Sequence, residues 1–229
     1  MSLVCSVVSF FLIVPNVSSA LQGSGMLTGH VSFHGVVRPG ETLEVKENQD
    51  VCGESVVRHK VSVDSINHGL QFAIVSLASM GTPLARSAMP QTLVMNEQCN
   101  FSPRISAAQS LDNIEIHNQD PILHNTHITI NQRTFLNVAQ LPGSRPIVKT
   151  IKQSGLHQIL CDKHKFMSGV LMVFDHPYFR VTNDKGEFSM KGIPPGQYVV
   201  RVWHETLGIL SQQVTILSEK TVMLQFDYK

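Results

Sequence analysis

Helical periodicity is missing from this chain. No window of helical length repeats its apolar residues every 3.6 positions between capping residues, which excludes a helical fold. An excess of one charge is missing too. Eighteen Lys and Arg stand against 17 Asp and Glu, a net charge of +1 that argues against nucleic acid as the main partner. Aromatic residues make up only 7%, and no Lys/Arg run marks a membrane surface. Low-complexity tracts are absent. Cysteine is scarce, with four in 229 residues. Long apolar runs are scarcer: one occupies residues 4–14, too short to span a bilayer, and no later segment approaches that length.

What is present suits a folded, exported β protein. Hydrophobic residues reach 42%, enough to pack one large or two small domains. The apolar block "FFLIV" (10–14) followed by Ser18-Ser19-Ala20 reads as an export signal over residues 1–20, though no Lys or Arg precedes it. The mature chain is expected to be periplasmic or otherwise exported, with no membrane span. Strand signals then follow one another: "LTGHVSF" (27–33), "VVRHKVSV" (56–63), "LQFAIVSLAS" (70–79), "TLVMN" (92–96), "NIEIHN" (113–118), "ILHNTHITI" (122–130), "LHQIL" (156–160) and "GVLMVFD" (169–175). "YFRVT" (178–182), "EFSM" (187–190), "QYVVRVWHE" (197–205), "SQQVTIL" (211–217) and "TVMLQFDY" (221–228) complete the set, with turn formers at Asn183-Asp184-Lys185-Gly186 and "GIPPG" (192–196). Short strands at such spacing predict an all-β fold of β-sandwiches.

One stretch carries chemistry. "CDKHKFM" (161–167) sets Cys161, His164 and Met167 at steps of three: a soft thiolate, an imidazole and a thioether. "NQDPILHNTHI" (118–128) offers two further histidines, His124 and His127. Three positions apart on a strand they face opposite ways, so one reaches a shared site and the other lies on the far face. Cysteine, two histidines and a weak axial methionine describe a mononuclear blue-copper site. A trigonal thiolate and two imidazoles suit both copper oxidation states, and zinc is a poorer match because methionine is a poor zinc ligand.

Asn118-x-Asp120-Pro121-x-x-His124-Asn125, followed by Cys161-x-x-His164-x-x-Met167, resembles the cupredoxins, and the short ligand loop resembles that of amicyanin. The resemblance covers residues 96–175. It implies a Greek-key β-sandwich holding one type 1 copper, with His124, Cys161, His164 and Met167 as ligands. It also implies that Asn125 ties the first-ligand strand to the cysteine loop. Cupredoxins often surround an exposed edge of the second histidine with apolar residues. Lys163 and Lys165 stand there instead, either steering an acidic partner or serving as ordinary solvated charge.

The flanks resemble a second family. Val181-Thr182-x-Asp184-x-Gly186-x-Phe188, Pro194-Pro195-Gly196-x-Tyr198 and the opening Gly29-x-Val31-x-Phe33-x-Gly35 resemble the carboxypeptidase regulatory-like, transthyretin-like sandwich. Its opening precedes the copper segment and its continuation follows. The expected organisation is therefore a discontinuous outer sandwich (21–95 and 176–229) with a cupredoxin domain (96–175) inserted in it. Trp203, the only tryptophan, is expected to pack the two together. With Cys5 removed with the signal and Cys161 on the metal, Cys52 and Cys99 are left to pair. His30, His34, His59, His68, His117, His157, His176 and His204 have no evident ligand partners.

The expected function is one-electron transfer, with a cytochrome, dehydrogenase or oxidase as partner. Enzymes of this kind need further copper, bound by His-x-His pairs or by a histidine directly before the cysteine. Here residue 160 is Leu160 and no His-x-His occurs, so the chain is not expected to be an enzyme. The other readings are a periplasmic copper carrier and a carbohydrate- or surface-binding module without redox turnover.

Overall fold

A computed structural model describes residues 23–79 and 91–229. The expected export signal lies outside them. The chain forms β1 (Gly25–Phe33), β2 (Glu41–Glu44), a one-turn helix α1 (Gln49–Cys52), β3 (Ser55–Arg58), β4 (Ile74–Ser79), β5 (Thr92–Glu97), β6 (Asn100–Ser102), β7 (Ile105–Gln109) and β8 (Asn113–Asn118). It continues through β9 (His124–Ile130), β10 (Arg133–Gln140), β11 (Ile147–Thr150), β12 (Gly155–Leu160), β13 (Ser168–Phe174), β14 (Phe179–Val181), β15 (Glu187–Ile193), β16 (Gly196–His204), β17 (Gly208–Ile216) and β18 (Thr221–Tyr228). The fold is all-β.

The strands form two sandwiches. In one, a sheet of order β15-β1-β18 faces a sheet of order β14-β4-β16-β17. In the other, β10-β9-β12-β13-β7 faces β11-β8-β5-β6. Strands from before residue 80 and from after residue 178 thus share the first pair of sheets, and everything from β5 to β13 builds the second. Period-two alternation drives this arrangement. In β16, Tyr198, Val200, Val202 and His204 point inward, while Gln197 and Arg201 are exposed. They meet Leu27, Val31, Phe188 and Phe226 in the first core. Ile114, Ile116, Ile128, Ile159 and Leu171 fill the second. Between the sandwiches a third cluster joins Ile74 to Ile105 and Val170, with Trp203 packed against it.

Two expected strands are shorter than the sequence suggests. Residues 59–63 leave the β2–β3 ribbon after Arg58, and Val61 and Val63 pack from outside onto the first core. In the 70–79 stretch Phe72 has φ 66, which a strand cannot continue, so β4 starts at Ile74. The turn at Asn183–Gly186 forms as its residues demand. Asn183 Oδ1 accepts the amides of Lys185 (3.0 Å) and Glu187 (2.8 Å). Gly186 has φ 75, and a Cβ there would lie 2.3 Å from the Val31 carbonyl oxygen.

The segment between β1 and β4 carries an appendage. β2 and β3 pair only with each other, α1 lies between them, and no residue of α1 is buried. A lone two-stranded ribbon is marginal in water. This one is tied down over the second sandwich, where Cys52 of α1 forms a disulfide with Cys99 of the β5–β6 turn.

Candidate metal centre

His124 opens β9 on its buried face and is fully buried. Its Nε2 lies 2.7 Å from Asp120 Oδ2. Asp120 is itself held in place. Its two oxygens accept the Gln98 amide (2.7 Å) and the Cys99 amide (2.8 Å). Gln98 and Cys99 both have positive φ, so their amides point the same way and form an anion-binding nest. Asn118 shapes the Asp120–Pro121 turn: its Oδ1 accepts the Asp120 amide (3.1 Å) and its Nδ2 donates to the Ile122 and Gln140 carbonyls. With the proton on Nε2 the ring donates to the carboxylate, and the Nδ1 lone pair is free. This carboxylate–histidine pairing is the usual outer support of a metal-bound imidazole.

Cys161 follows β12 and is 1% exposed. The chain turns back at once, so that the His164 amide donates to Cys161 Sγ (3.4 Å) and the Met167 amide to the His164 carbonyl (2.8 Å). His164 Nδ1 then lies 3.7 Å from Cys161 Sγ and 3.0 Å from His124 Nδ1. Met167 is buried in the same apolar cluster as Cys161. The structure therefore gathers His124, Cys161 and His164, with donor atoms within 4.8 Å of one another, while Met167 packs in the same core as Cys161. A second grouping, Cys99–Asp120–His124, shares His124 and has its sulfur committed to the disulfide.

His127 is on the other face of β9, bonded through Nδ1 to Asp162 (3.1 Å) and through Nε2 to Thr134 (2.9 Å). Asn125, also on that face, accepts the Asp162 amide and so bridges β9 to the cysteine loop.

One implied feature is corrected. The resemblance to cupredoxins implies an exposed edge at His164, yet His164 is 1% exposed. The β2–α1–β3 appendage covers it, and Asn48 Oδ1 lies 3.1 Å from His164 Nε2. The flanking lysines are also engaged, Lys163 with Glu47 at 3.8 Å and Lys165 with Asp162 at 4.0 Å.

The arrangement fits a metal ion. When each ring carries its proton on Nε2, donating to Asp120 and to Asn48, both Nδ1 lone pairs face each other at 3.0 Å beside a thiol. A cation between them satisfies both lone pairs at once. Nitrogen and sulfur donors sit about 2.0–2.3 Å from a bound ion, so the 3.0 and 3.7 Å spans are ones a single ion can bridge. Burial lowers the pKa of both histidines and the Lys163 charge lowers them further, which favours the neutral rings that ligands must be.

Asp120 and Asn118 were visible in the sequence as motif residues without a role. Asn48 carried no sequence signal, since it lies 116 residues from His164 and meets it only through the fold.

No family model and no curated protein matches the chain. Among solved structures it is similar to amicyanin from Paracoccus versutus, at 15% identity over 43% of this chain and 98% of that one, with a TM-score of 0.34. It is similar to a purple cupredoxin from Nitrosopumilus maritimus, at 16% identity over 37% of this chain and all of that one, with a TM-score of 0.33. It is also similar to a copper-containing nitrite reductase from Thermus scotoductus, at 15% identity over 42% of this chain and 25% of that one, with a TM-score of 0.33. Likenesses this distant carry no argument about function, which is taken from the site itself.

Proposed function

We propose that this chain is an exported type 1 copper protein that carries single electrons between redox partners. The observation behind this reading is the pair of imidazole Nδ1 atoms 3.0 Å apart beside the buried Cys161 thiol, with both outer nitrogens next to oxygen partners. Cys161, His124 and His164 would hold the ion, with the Met167 thioether as a weak further donor. Copper supplies the one-electron couple. The chain's share is to fix the donors on strands before the ion arrives and to keep water out, so that little rearranges when the charge changes. Residues 92–174 form the copper domain, and residues 23–79 and 176–229 form the outer sandwich.

The chain carries no catalytic role in this reading, because Leu160 stands where a histidine would bridge to a second copper. A copper carrier must open its site to hand the ion on, and donors 0–1% exposed favour retention instead. The partner is a redox protein such as a cytochrome, a dehydrogenase or an oxidase. Lys163 and Lys165 offer an acidic partner less than free lysines would, since each already has a carboxylate within 4.0 Å. Adding one equivalent of Cu(II) to the purified chain should give an intense blue absorption that a reductant bleaches and an oxidant restores. Bound copper without that colour would overturn the electron-transfer reading.

A further inference from the structure

The β2–α1–β3 appendage has no core of its own, yet it is tied to the metal site at four points. Asn48 bonds His164, Glu47 pairs with Lys163, the Arg58 guanidinium donates to the Phe166 carbonyl, and Cys52 is bonded to Cys99. Three ties end in the loop from Cys161 to Met167. The fourth ends at Cys99, whose amide holds Asp120, which in turn holds His124. The appendage is therefore joined to the outer supports of both imidazoles. Asn48 itself has φ 58 and ψ 40, a left-handed conformation that asparagine tolerates better than most residues. That backbone turns its side chain down onto His164.

We propose that residues 41–58 are a cap on the copper site and that Asn48 is a positioning residue for His164. The inference rests on the copper reading above. By accepting the Nε2 proton, Asn48 fixes the tautomer in which Nδ1 faces the ion, a role that Asp120 fills for His124. The cap replaces solvent over the His164 edge, so the ion leaves only when the cap lifts. The outer sandwich, from which the cap springs, is then part of the metal site rather than a separate module.

Asn48→Gly tests this, because glycine accepts the left-handed backbone and removes only the side chain. The variant should still turn blue, but it should lose copper to a competing chelator about 10–100-fold faster than the parent, the usual effect of removing an outer partner of a bound imidazole. Its copper EPR signal should also shift. Asn48→Asp, which keeps an acceptor in a residue that tolerates the same backbone, should restore the slow release. An unchanged release rate in Asn48→Gly, or no rescue by Asp, would overturn the proposal. A second readout needs no metal. In the copper-free parent, 15N-resolved NMR should place the His164 ring proton on Nε2, slow to exchange, and Asn48→Gly should lose that protection. A parent that takes up no copper but shows the protected proton would sink the copper reading and leave the cap standing. A parent with no protected proton would sink the cap even if the protein is blue.

Discussion

At the scale of single residues, the site is a set of donors whose freedom has been removed one bond at a time. Asp120 accepts two amides and an imidazole within 2.7–2.8 Å. Asp120→Asn keeps one oxygen but turns the other into a donor, so either the Gln98 amide loses its acceptor or the Cys99 amide and His124 both do. Copper affinity should fall about 10–100-fold, measured by chelator competition. Cys161→Ser should lose the blue colour while the fold persists, since the first core contains no part of the site. Met167→Leu should keep the colour and raise the reduction potential, each 59 mV being about a tenfold shift toward Cu(I); voltammetry showing no change would remove the thioether from the ligand set. A fourth residue governs acid stability. His204 is 2% exposed, and its Nδ1 accepts the Thr206 and Leu207 amides, so burial lowers its pKa to about 4 despite the opposing charge of Glu205. The unfolded chain takes that proton more readily than the folded one. His204 therefore contributes stability that is full above about pH 6.5 and is lost as pH falls towards 4, by up to about 3 kcal/mol. Urea unfolding of the parent and of His204→Leu should show a shallower pH slope in the variant. The closeness of Cys161 and His164 was legible because they are neighbours in sequence. Asn48 was not, because a left-handed asparagine in a loop looks like any other turn residue.

At the scale of elements, legibility followed burial. β9, β12, β13 and β16 were readable from alternation because each is paired on both sides and presses one face into a core. β10 and β11 were missed. Both are edge strands whose residues are mostly half-buried or exposed, so neither pattern nor apolar content marks them. β7 was missed for a different reason: "ISAAQ" is buried but small and reads as no strand. The appendage was half legible. β3 showed, while α1 did not, since a four-residue helix has no period to detect. What orders this weak element is cross-linking more than packing, since Val45 is the one fully buried side chain it offers. The Cys52–Cys99 bond closes a 47-residue separation, which stabilises by roughly 2–4 kcal/mol. The double variant Cys52→Ser, Cys99→Ser should unfold at correspondingly lower denaturant. In native conditions it should be cleaved by protease first within residues 41–58; cleavage elsewhere would show that the other three ties suffice to hold the cap.

At the scale of the whole molecule, two sandwiches share a boundary that is neither bare nor large. Ile74 and Trp203 come from one, Ile105 and Val170 from the other, and Phe174 stacks on Phe179 at 4.9 Å across the same seam. Arg104 and Glu205 add a salt bridge at 2.7 Å that is partly open to solvent, so its contribution is small. The apolar contact is what couples the two halves, and the cap adds a second, covalent link. On the copper reading the ion binds only the folded site, so adding it should raise the stability of whatever unfolds with that site. If the boundary and the cap make one cooperative unit, loss of the blue colour and the change in Trp203 fluorescence should fall on one denaturation curve, and both should move together when copper is added. Trp203 is the only tryptophan, so its signal belongs to the seam alone. Ile105→Ala removes a side chain that is 2% exposed, at a cost of about 2–5 kcal/mol. That loss falls on the seam, so the variant should bind copper with its colour intact while the two curves separate. Curves that already differ in the parent would mean that the sandwiches are independent and that only the disulfide-bonded cap joins them.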